Sequence, residues 1–425
     1  MMPAAPRHLP PRLSISCWIW SWISGAMPGE PYDDLDRCMR QLKDRGFNSL
    51  RAEAGLNWAF RLDGTPRGEV EFCPWIAGHG WNTCNFRGGG RHDVLQRVIR
   101  LMELARRHDV FVILTSWEYQ DSTWLVADPA IRREVLAVPL ADRFLHLARQ
   151  FDRLLNILKQ RDLHRHLAFI EVHNEPDVSE FPAGAGTFRN VDSPVSENRR
   201  LHEEAIAFLR SRHPDIMVSA DFTRHDYAYV PGNAQVFDQH IYAGWELYWK
   251  TLYPQTIHHS QFDPHDPLAL PAMREILRPD FTPWDDFMEP ARNVREFWRP
   301  IMWLYENLDN DAWDRWVARQ FPAQSGRMVE TFESRFAEDA AEAGRRGLPL
   351  VFDEGGFWYP PRLSRFELSP PALAVMDKAC DLAIAHGYWG FMPGTYCGPH
   401  DILWQADPDW LRKTNERFQR SGGAA

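Results

Sequence analysis

Two glutamates follow short apolar segments that lie far apart in the sequence. Glu175 comes just after Ala168–His173, and Glu354 comes just after Leu348–Phe352. Pro176 behind the first glutamate, and two glycines behind the second, are residues that end a strand and let the chain turn. Two carboxyl groups held close together can hydrolyse a glycosidic bond, because one protonates the leaving oxygen while the other attacks the anomeric carbon or activates a water. Glu175 and Glu354 are therefore the candidate catalytic pair.

The two glutamates can meet only if their segments belong to one sheet. Eight short apolar segments alternate with amphipathic helical patterns, which is typical of parallel strands joined by helical crossovers. Eight such strands close into a (β/α)8 barrel of the TIM type, an α/β fold. The strands are expected at Leu13–Trp20, Phe47–Arg51, Val110–Thr115, Ala168–His173, Ile216–Ala220, Val236–Ile241, Leu348–Phe352 and Tyr388–Met392. The fourth and seventh strands lie nearly opposite each other in such a barrel, so their terminal glutamates can face one another over its mouth.

The chain is longer than a barrel requires. A minimal barrel uses about 250 residues, whereas this chain has 425 and is expected to form one catalytic domain with strands from about residue 13 to residue 392. The surplus follows strands, at 52–91, at 116–139 and above all after strand six. Insertions at these places rise over the C-terminal face, where barrel enzymes build active sites. We expect residues 243–324 to form a cap subdomain over the mouth.

The composition argues against several classes of function. Lys and Arg number 48 against 58 Asp and Glu, a formal charge of −10, so a nucleic-acid partner is not expected. No run of about 18 apolar residues is present, so no membrane partner is expected either. The proline-rich N-terminus lacks the apolar core of a secretory signal. This favours a cytoplasmic location and leaves secretion open should a leader precede the sequence.

The sequence predicts no cofactor and no metal. The 17 histidines lack the HExxH spacing of a zinc protease, and the six cysteines form no CxxC pair. The run Gly88–Gly90 lacks the context of a phosphate-binding loop. Cys73 and Cys84 could form a disulfide, but reduced and mostly buried thiols are the favoured interpretation.

The segment Asn174-Glu175-Pro176 resembles the Asn-Glu-Pro acid/base motif of glycoside hydrolase family five and its relatives in clan A. The resemblance runs in strand order over most of the chain. It implies that Glu175 is the general acid/base and that Glu354 is the nucleophile of a retaining hydrolase acting on a β-linked glycoside by double displacement. An oligosaccharide or glycoside would then be the substrate.

Five further positions match the same family. The resemblance implies that Arg51 holds the nucleophile and that Asn174 binds the sugar 2-hydroxyl. His240 and Tyr242 match the His-x-Tyr of strand six, and Trp389 matches the tryptophan that floors the subsite where the bond breaks.

The sequence also departs from the family pattern. The histidine that many members carry at the end of strand three is replaced by Thr115-Ser116-Trp117-Glu118. The long insertion after strand six is unusual as well. The chain thus resembles an outlying, cellulase-like member, and the identity of the sugar, the linkage and the choice between endo and exo action do not carry over.

Tryptophans lie at or just beyond several predicted strand ends. Aromatic faces stack on the apolar C–H surfaces of a pyranose ring, so Trp20, Trp117 and Trp358 are candidate substrate contacts beside Trp389. Trp22 and Trp124 have similar positions. About half of this set is expected to pack under loops instead.

Two other functions fit the residues. One is a carbohydrate-binding barrel that has lost its activity. The other is a metal-dependent sugar-processing barrel, in which His173, Asp177 and Asp353 chelate a divalent ion near the mouth. Strand alternation would turn Glu171, His173 and Glu175 toward the barrel axis.

Overall fold

Eight parallel strands form a closed barrel in the computed structural model. The barrel strands are β1 (Leu13–Ile19), β2 (Ser49–Glu53), β3 (Phe111–Thr115), β4 (Leu167–Glu171), β5 (Val218–Phe222), β6 (Phe237–Gln239), β7 (Leu350–Phe352) and β8 (Gly390–Phe391). Each strand pairs with the next along the chain, and β8 pairs with β1. This confirms the predicted (β/α)8 barrel. The structure describes residues 6, 8–74, 86–120, 122–182, 195–223, 225–244, 247–258, 261–291, 299–357, 360–361 and 363–423.

All eight predicted segments contribute a strand, but their bounds shift. Strand β4 ends at Glu171, two residues before the predicted end, and β8 covers only Gly390–Phe391. Beyond β6 and β7 the chain makes a separate two-stranded parallel pair, Ile241–Tyr242 with Gly355–Gly356. An antiparallel hairpin of Glu69–Phe72 and Gly90–Asp93 lies within the insertion after β2.

Most crossovers contain helices, as the apolar spacing predicts, whereas the described residues between β5 and β6 form turns and no helix. The helix Leu35–Asp44, for example, begins where the Asp34 side chain accepts hydrogen bonds from two backbone N–H groups, and it buries one apolar face. The α-helices span Ser21–Ser24, Leu35–Asp44, Leu56–Ala59, Val94–His108, Pro129–Leu136, Arg143–Gln160, Val195–Arg212, Tyr253–Gln255, Pro271–Ile276, Trp284–Ala291, Arg299–Asn307, Asn310–Gln320, Pro322–Arg346, Pro370–Ala385, Ile402–Ala406 and Pro408–Arg420. In the described part of the chain, no helix is both long and apolar enough to cross a membrane.

The insertion after β6 is mostly helical and has its own aromatic core. Trp303, Trp313 and Trp316 are buried there. The insertion contacts the segment that follows β7: the Gly244 N–H donates to the Phe357 carbonyl at 3.0 Å, and the Phe321 ring packs on that of Phe357. The insertion thus lies beside the C-terminal end of β7. That it caps the barrel mouth stays a prediction.

The described cysteines are buried. Cys17, Cys38, Cys380 and Cys397 are free thiols, and Cys73 is also buried. Cys84 lies outside the described residues, so the prediction that Cys73 and Cys84 are reduced rather than paired is not tested.

Candidate active site

The structure brings the two candidate carboxylates together at the C-terminal end of the barrel. One oxygen of Glu175, one oxygen of Glu354 and a ring nitrogen of His240 all lie within 4.8 Å of one another. Glu175 is 4% exposed and Glu354 is 3% exposed, so little water competes with their hydrogen bonds. The two acids therefore lie close together in one almost fully buried site.

Glu354 is held from two sides. Its Oε2 accepts a hydrogen bond from Nη1 of Arg51 at 2.6 Å, and its Oε1 accepts one from the Tyr242 hydroxyl at 2.6 Å. Burial raises the pKa of the Glu354 carboxyl, while the charges of His240 and Arg51 and the Tyr242 hydrogen bond oppose that rise. These three neighbours favour the ionised form, which a nucleophile requires.

Glu175 reaches the site through a turn rather than through strand alternation. Its backbone lies in the left-handed region, with φ at 43°, a conformation that costs a non-glycine residue roughly 1–2 kcal/mol. Its backbone N–H donates to Oδ2 of Asp221 at 3.0 Å, and its carbonyl accepts from the Ser179 hydroxyl at 2.8 Å. These bonds fix the turn and direct the carboxyl toward Glu354.

The expectation that alternation turns His173 toward the axis is wrong. Strand β4 stops at Glu171, so the period of two ends before His173. The His173 Nε2 accepts the Tyr119 backbone N–H at 3.0 Å, and its ring packs on Phe181. Only Glu171 and Glu175 of the three residues reach Arg51 or His240.

Both oxygens of Glu175 have partners. Oε1 lies 2.7 Å from Nδ1 of His240, and Oε2 accepts a hydrogen bond from Nε2 of Gln120 at 2.8 Å. Gln120 also accepts a hydrogen bond from Nδ2 of Asn174 at 2.6 Å. Sequence reasoning missed Gln120, because it lies in an irregular loop after β3 where no period marks the direction of a side chain.

Arg51 is fully buried at the centre of this site. Its guanidinium donates to Glu171 at 2.9 Å, to Asn174 at 2.7 Å and to Asp221 at 3.0 Å, in addition to Glu354. A guanidinium carries five donors and no acceptor, so it suits a ring of oxygens. Arg51 therefore orders the acids of the site.

His240 is the second cation of the cluster. Its Nε2 lies 3.3 Å from Oδ2 of Asp221 and 3.4 Å from Oδ1 of Asp353, opposite the nitrogen that faces Glu175. Burial alone would lower the pKa of His240, but the surrounding carboxylates of Glu354, Asp353 and Glu175 raise it well above its ordinary value. The surrounding carboxylates thus favour the charged form of the ring.

Four buried acids lie beneath the candidate pair. Burial raises the pKa of Glu171 and Asp238 well above the ordinary values and that of Asp221 to about 6. The pKa of Asp353 is lowered: burial opposes this, but Arg51 and His240 favour its charge. Asp238 precedes His240 by two residues, so strand period could have found it, whereas Asp221 lies just past the predicted end of strand five.

The candidate aromatic residues lie in different places. The Trp117 ring lies under the Arg51 guanidinium, 4.7 Å from its Cζ, and Trp20 packs edge-on against Trp117 at 6.0 Å. Both are buried, so they support Arg51 from below. Trp358 lies outside the described residues.

The position inferred for Trp389 has to be corrected. Strand β8 begins only at Gly390, so Trp389 lies at the N-terminal end of the barrel. Its Nε1 donates to the Pro10 carbonyl at 3.0 Å, and its ring lies 6.0 Å from that of Phe169. Trp389 fills the floor of the barrel and does not reach the glutamates.

The residues of the metal-dependent alternative are not assembled. Among the described residues, the groups whose donor atoms come together are Glu175, His240 and Glu354, and Asp238, His240 and Asp353. Neither group includes His173 or Asp177. Each group includes His240, whose charged form the surrounding carboxylates favour.

A family model for sugar-binding cellulase-like proteins matches residues 15–419. The chain belongs to this family. The match covers every barrel strand except the first two residues of β1, together with all the residues of the site.

The chain is also similar to solved structures. A candidate glycoside hydrolase from Parabacteroides distasonis superposes with a TM-score of 0.66 at 18% identity, over 96% of this chain and 94% of that one. A family five mannosidase from Rhizomucor miehei matches at 12% identity with a TM-score of 0.46, over 97% of this chain and 94% of that one. No curated protein matches the chain. The first likeness establishes the fold, which is one used by glycoside hydrolases.

Proposed function

We propose that this cellulase-like protein is a retaining glycoside hydrolase that cleaves a β-linked glycoside, with Glu354 as nucleophile and Glu175 as general acid/base. The observation that carries the proposal is the separation of the two carboxylates, which bring oxygens within 4.8 Å of each other. Retaining enzymes hold their carboxyl groups about 5–5.5 Å apart, whereas inverting enzymes leave about 6.5–9.5 Å for a water. The short separation favours retention.

The surroundings support this division of roles. Glu354 receives hydrogen bonds from a guanidinium and a phenol, and both favour a carboxylate ready to attack the anomeric carbon. Glu175 faces His240 and the amide of Gln120, and these two partners hold its carboxyl group beside Glu354. Asn174, which precedes Glu175, is held by Arg51 at 2.7 Å and is the candidate contact for the sugar 2-hydroxyl.

The reaction then follows in two displacements. Glu354 attacks the anomeric carbon while Glu175 gives a proton to the leaving oxygen, and a glycosyl ester forms on Glu354. Glu175, now a carboxylate, takes a proton from water as the water attacks the same carbon and releases Glu354. The two inversions restore the original configuration.

A panel of nitrophenyl β-glycosides tests the proposal, with the configuration of the first product followed by NMR. We expect hydrolysis of at least one member with retention, and full activity in excess chelator. An inverted product would contradict the assignment, and activity that chelator abolishes would support the metal-dependent alternative. Sugar binding without any turnover would support the inactive carbohydrate-binding barrel.

Two variants test the roles separately. Glu354→Gln should abolish turnover of every substrate. Glu175→Gln should abolish turnover of alkyl glycosides but spare the first step on dinitrophenyl glycosides, whose leaving groups need no proton. Glu416→Gln, an exposed change on the C-terminal helix, is the matched control and should keep full activity. Equal losses in Glu175→Gln for both classes of substrate would remove Glu175 as the acid.

A further inference from the structure

Gln120 connects two residues of the site without being a candidate from any sequence pattern. The side chain is half-buried in the loop after β3. Its Oε1 accepts from Nδ2 of Asn174 at 2.6 Å, and its Nε2 donates to Oε2 of Glu175 at 2.8 Å. The amide thus spans the gap between the candidate sugar-binding residue and the candidate acid/base.

The direction of this chain of hydrogen bonds is fixed by Arg51. A guanidinium can only donate, and its Nη2 donates to Oδ1 of Asn174 at 2.7 Å. Asn174 must therefore turn its NH2 group toward Gln120. Gln120 must in turn present its oxygen to Asn174 and its NH2 group to Glu175, because the two ends of an amide are told apart only by their partners.

The direction of these hydrogen bonds determines whether Oε2 of Glu175 donates or accepts. Facing an NH2 group, Oε2 is an acceptor and cannot carry the proton at that contact. The other oxygen, Oε1, lies 2.7 Å from Nδ1 of His240. Both oxygens of Glu175 therefore have a partner, and the plane of the carboxyl group is held between Gln120 and His240.

We propose that Gln120 is a positioning residue for the acid/base step, which relays the orientation of Arg51 to Glu175. The inference rests on the proposed glycosidase function. The hydrogen bonds of Gln120 described above go to Asn174 and Glu175, so we expect its effect on proton transfer to the leaving group and from the attacking water rather than on the attack by Glu354. A residue that only supported the fold would affect both steps alike.

The test compares two substrates of one sugar, a dinitrophenyl and an alkyl β-glycoside. Gln120→Leu removes both hydrogen bonds, and Gln120→Glu keeps the acceptor for Asn174 but replaces the donor to Glu175. For both variants we expect kcat/KM on the alkyl glycoside to fall roughly 10- to 100-fold, part of the 10²–10⁴ that general acid catalysis supplies. On the dinitrophenyl glycoside, kcat/KM should stay within about 3-fold while kcat and KM fall together, because the second step, which needs the base, becomes rate-limiting.

Gln235→Leu is the matched control. Gln235 is also half-buried, but it lies at the opposite end of the barrel, where its Oε1 accepts the Val218 backbone N–H at 3.1 Å. This variant should melt slightly earlier than the parent and keep the parent's ratio of kcat/KM on the two substrates. An equal loss on both substrates in Gln120→Leu, or no loss on either, overturns the inference. A parent protein that hydrolyses no glycoside overturns the proposed function instead, so the two failures are distinguishable.

Discussion

The Tyr242 hydroxyl donates a hydrogen bond to Oε1 of Glu354 across 2.6 Å. The backbone fixes this contact, because Tyr242 is paired in register with Gly356 in the short parallel sheet beyond the barrel. Gly355 lies at φ 142°, and a Cβ there would come within 2.3 Å of the Ile241 carbonyl oxygen. Only glycine permits the two segments to approach so closely. The glycines after Glu354 therefore set the distance between the phenol and the candidate nucleophile.

Tyr242→Phe should move the acidic limb of the pH–rate profile to higher pH. Burial raises the pKa of Glu354, and the Tyr242 hydrogen bond opposes that rise. Without the hydroxyl, Glu354 takes up its proton at a higher pH, and kcat/KM is lost earlier as the pH falls. We expect kcat near the optimum to fall roughly 10-fold, equivalent to about 1.4 kcal/mol, which is close to the lower end of the roughly 1.5–3 kcal/mol that a hydrogen bond to a charged group contributes. An unchanged acidic limb would contradict the role of Tyr242.

Arg51→Lys keeps the positive charge, but we expect it to lower both the stability and the activity strongly. One ammonium cannot replace a planar fork that donates to Glu171, Asn174 and Glu354 at once. Breaking a buried ion pair typically costs about 3–5 kcal/mol, so we expect a large drop in melting temperature and near-complete loss of kcat. Thermal unfolding and kinetics on the best substrate measure the two effects.

The control for this change is Arg412→Lys. Arg412 forms an exposed ion pair with Asp409 at 2.6 Å, and such pairs contribute little to stability. This variant should melt and turn over like the parent. An Arg51→Lys protein that keeps its stability would mean that the buried acids are neutral without the guanidinium.

Comparing the variants Asp238→Asn and Asp353→Asn shows which of these two acids is protonated in the folded protein. The pKa of Asp238 is raised well above its ordinary value by burial and by the charge of Asp353, whereas Arg51 and His240 lower that of Asp353. These opposite pKa shifts favour a neutral Asp238 beside an ionised Asp353. An amide at 238 is also neutral, but an amide at 353 removes the charge that faces Arg51 and His240.

We accordingly expect Asp238→Asn to keep its stability and activity within a few-fold of the parent. Asp353→Asn should unfold at markedly lower temperature and lose at least about 100-fold in kcat, because two buried cations lose a counter-charge. The melting temperature and kcat of each variant, measured at neutral pH and compared with those of the parent, test this expectation. Equal losses in the two variants would show that both acids are ionised or that both are neutral.

The barrel was predictable because its signals are strong and local. The helix Val94–His108 buries one apolar face at helical spacing, and the apolar segment that predicts β3 is flanked by irregular loops. Glu354 was also accessible to sequence reasoning, since it comes two residues after the last residue of β7.

The errors occur where a strand ends earlier or begins later than its apolar run. The prediction continued strand alternation beyond Glu171, where β4 ends, and so turned His173 toward the barrel axis. It also began the eighth strand at Tyr388 instead of Gly390, and so placed Trp389 near the candidate site. Tertiary pairing decides both bounds, and no local residue marks them. Gln120 and Asp221 were not foreseen because their contacts bridge loops and strand ends whose relative positions only the closed barrel determines.

Asp339, on the helix that precedes β7, provides a pH-dependent contribution to stability that does not involve the candidate pair. Its side chain is wholly buried on the helix Pro322–Arg346, where Oδ1 accepts the Tyr227 hydroxyl at 2.7 Å. Burial raises the pKa of Asp339 to about 7, although the Tyr227 hydrogen bond opposes this. His225 lies 3.9 Å away, but burial lowers its pKa to about 4, so it brings no charge at neutral pH.

Asp339→Asn should stabilise the protein at pH 8 and leave its stability unchanged at pH 4. An unfolded Asp loses its proton near pH 3.9, whereas the folded one keeps it up to about pH 7. Between these values the folded state binds the extra proton, so the parent loses up to roughly 1.4 kcal/mol of unfolding free energy for each unit of rising pH. Asn keeps the acceptor for Tyr227 and has no proton to lose. The difference in melting temperature between variant and parent should therefore grow from pH 4 to pH 8, whereas Asp280→Asn, an exposed control, should show a constant difference. A gap that shrinks with rising pH would mean that Asp339 is ionised in the folded protein.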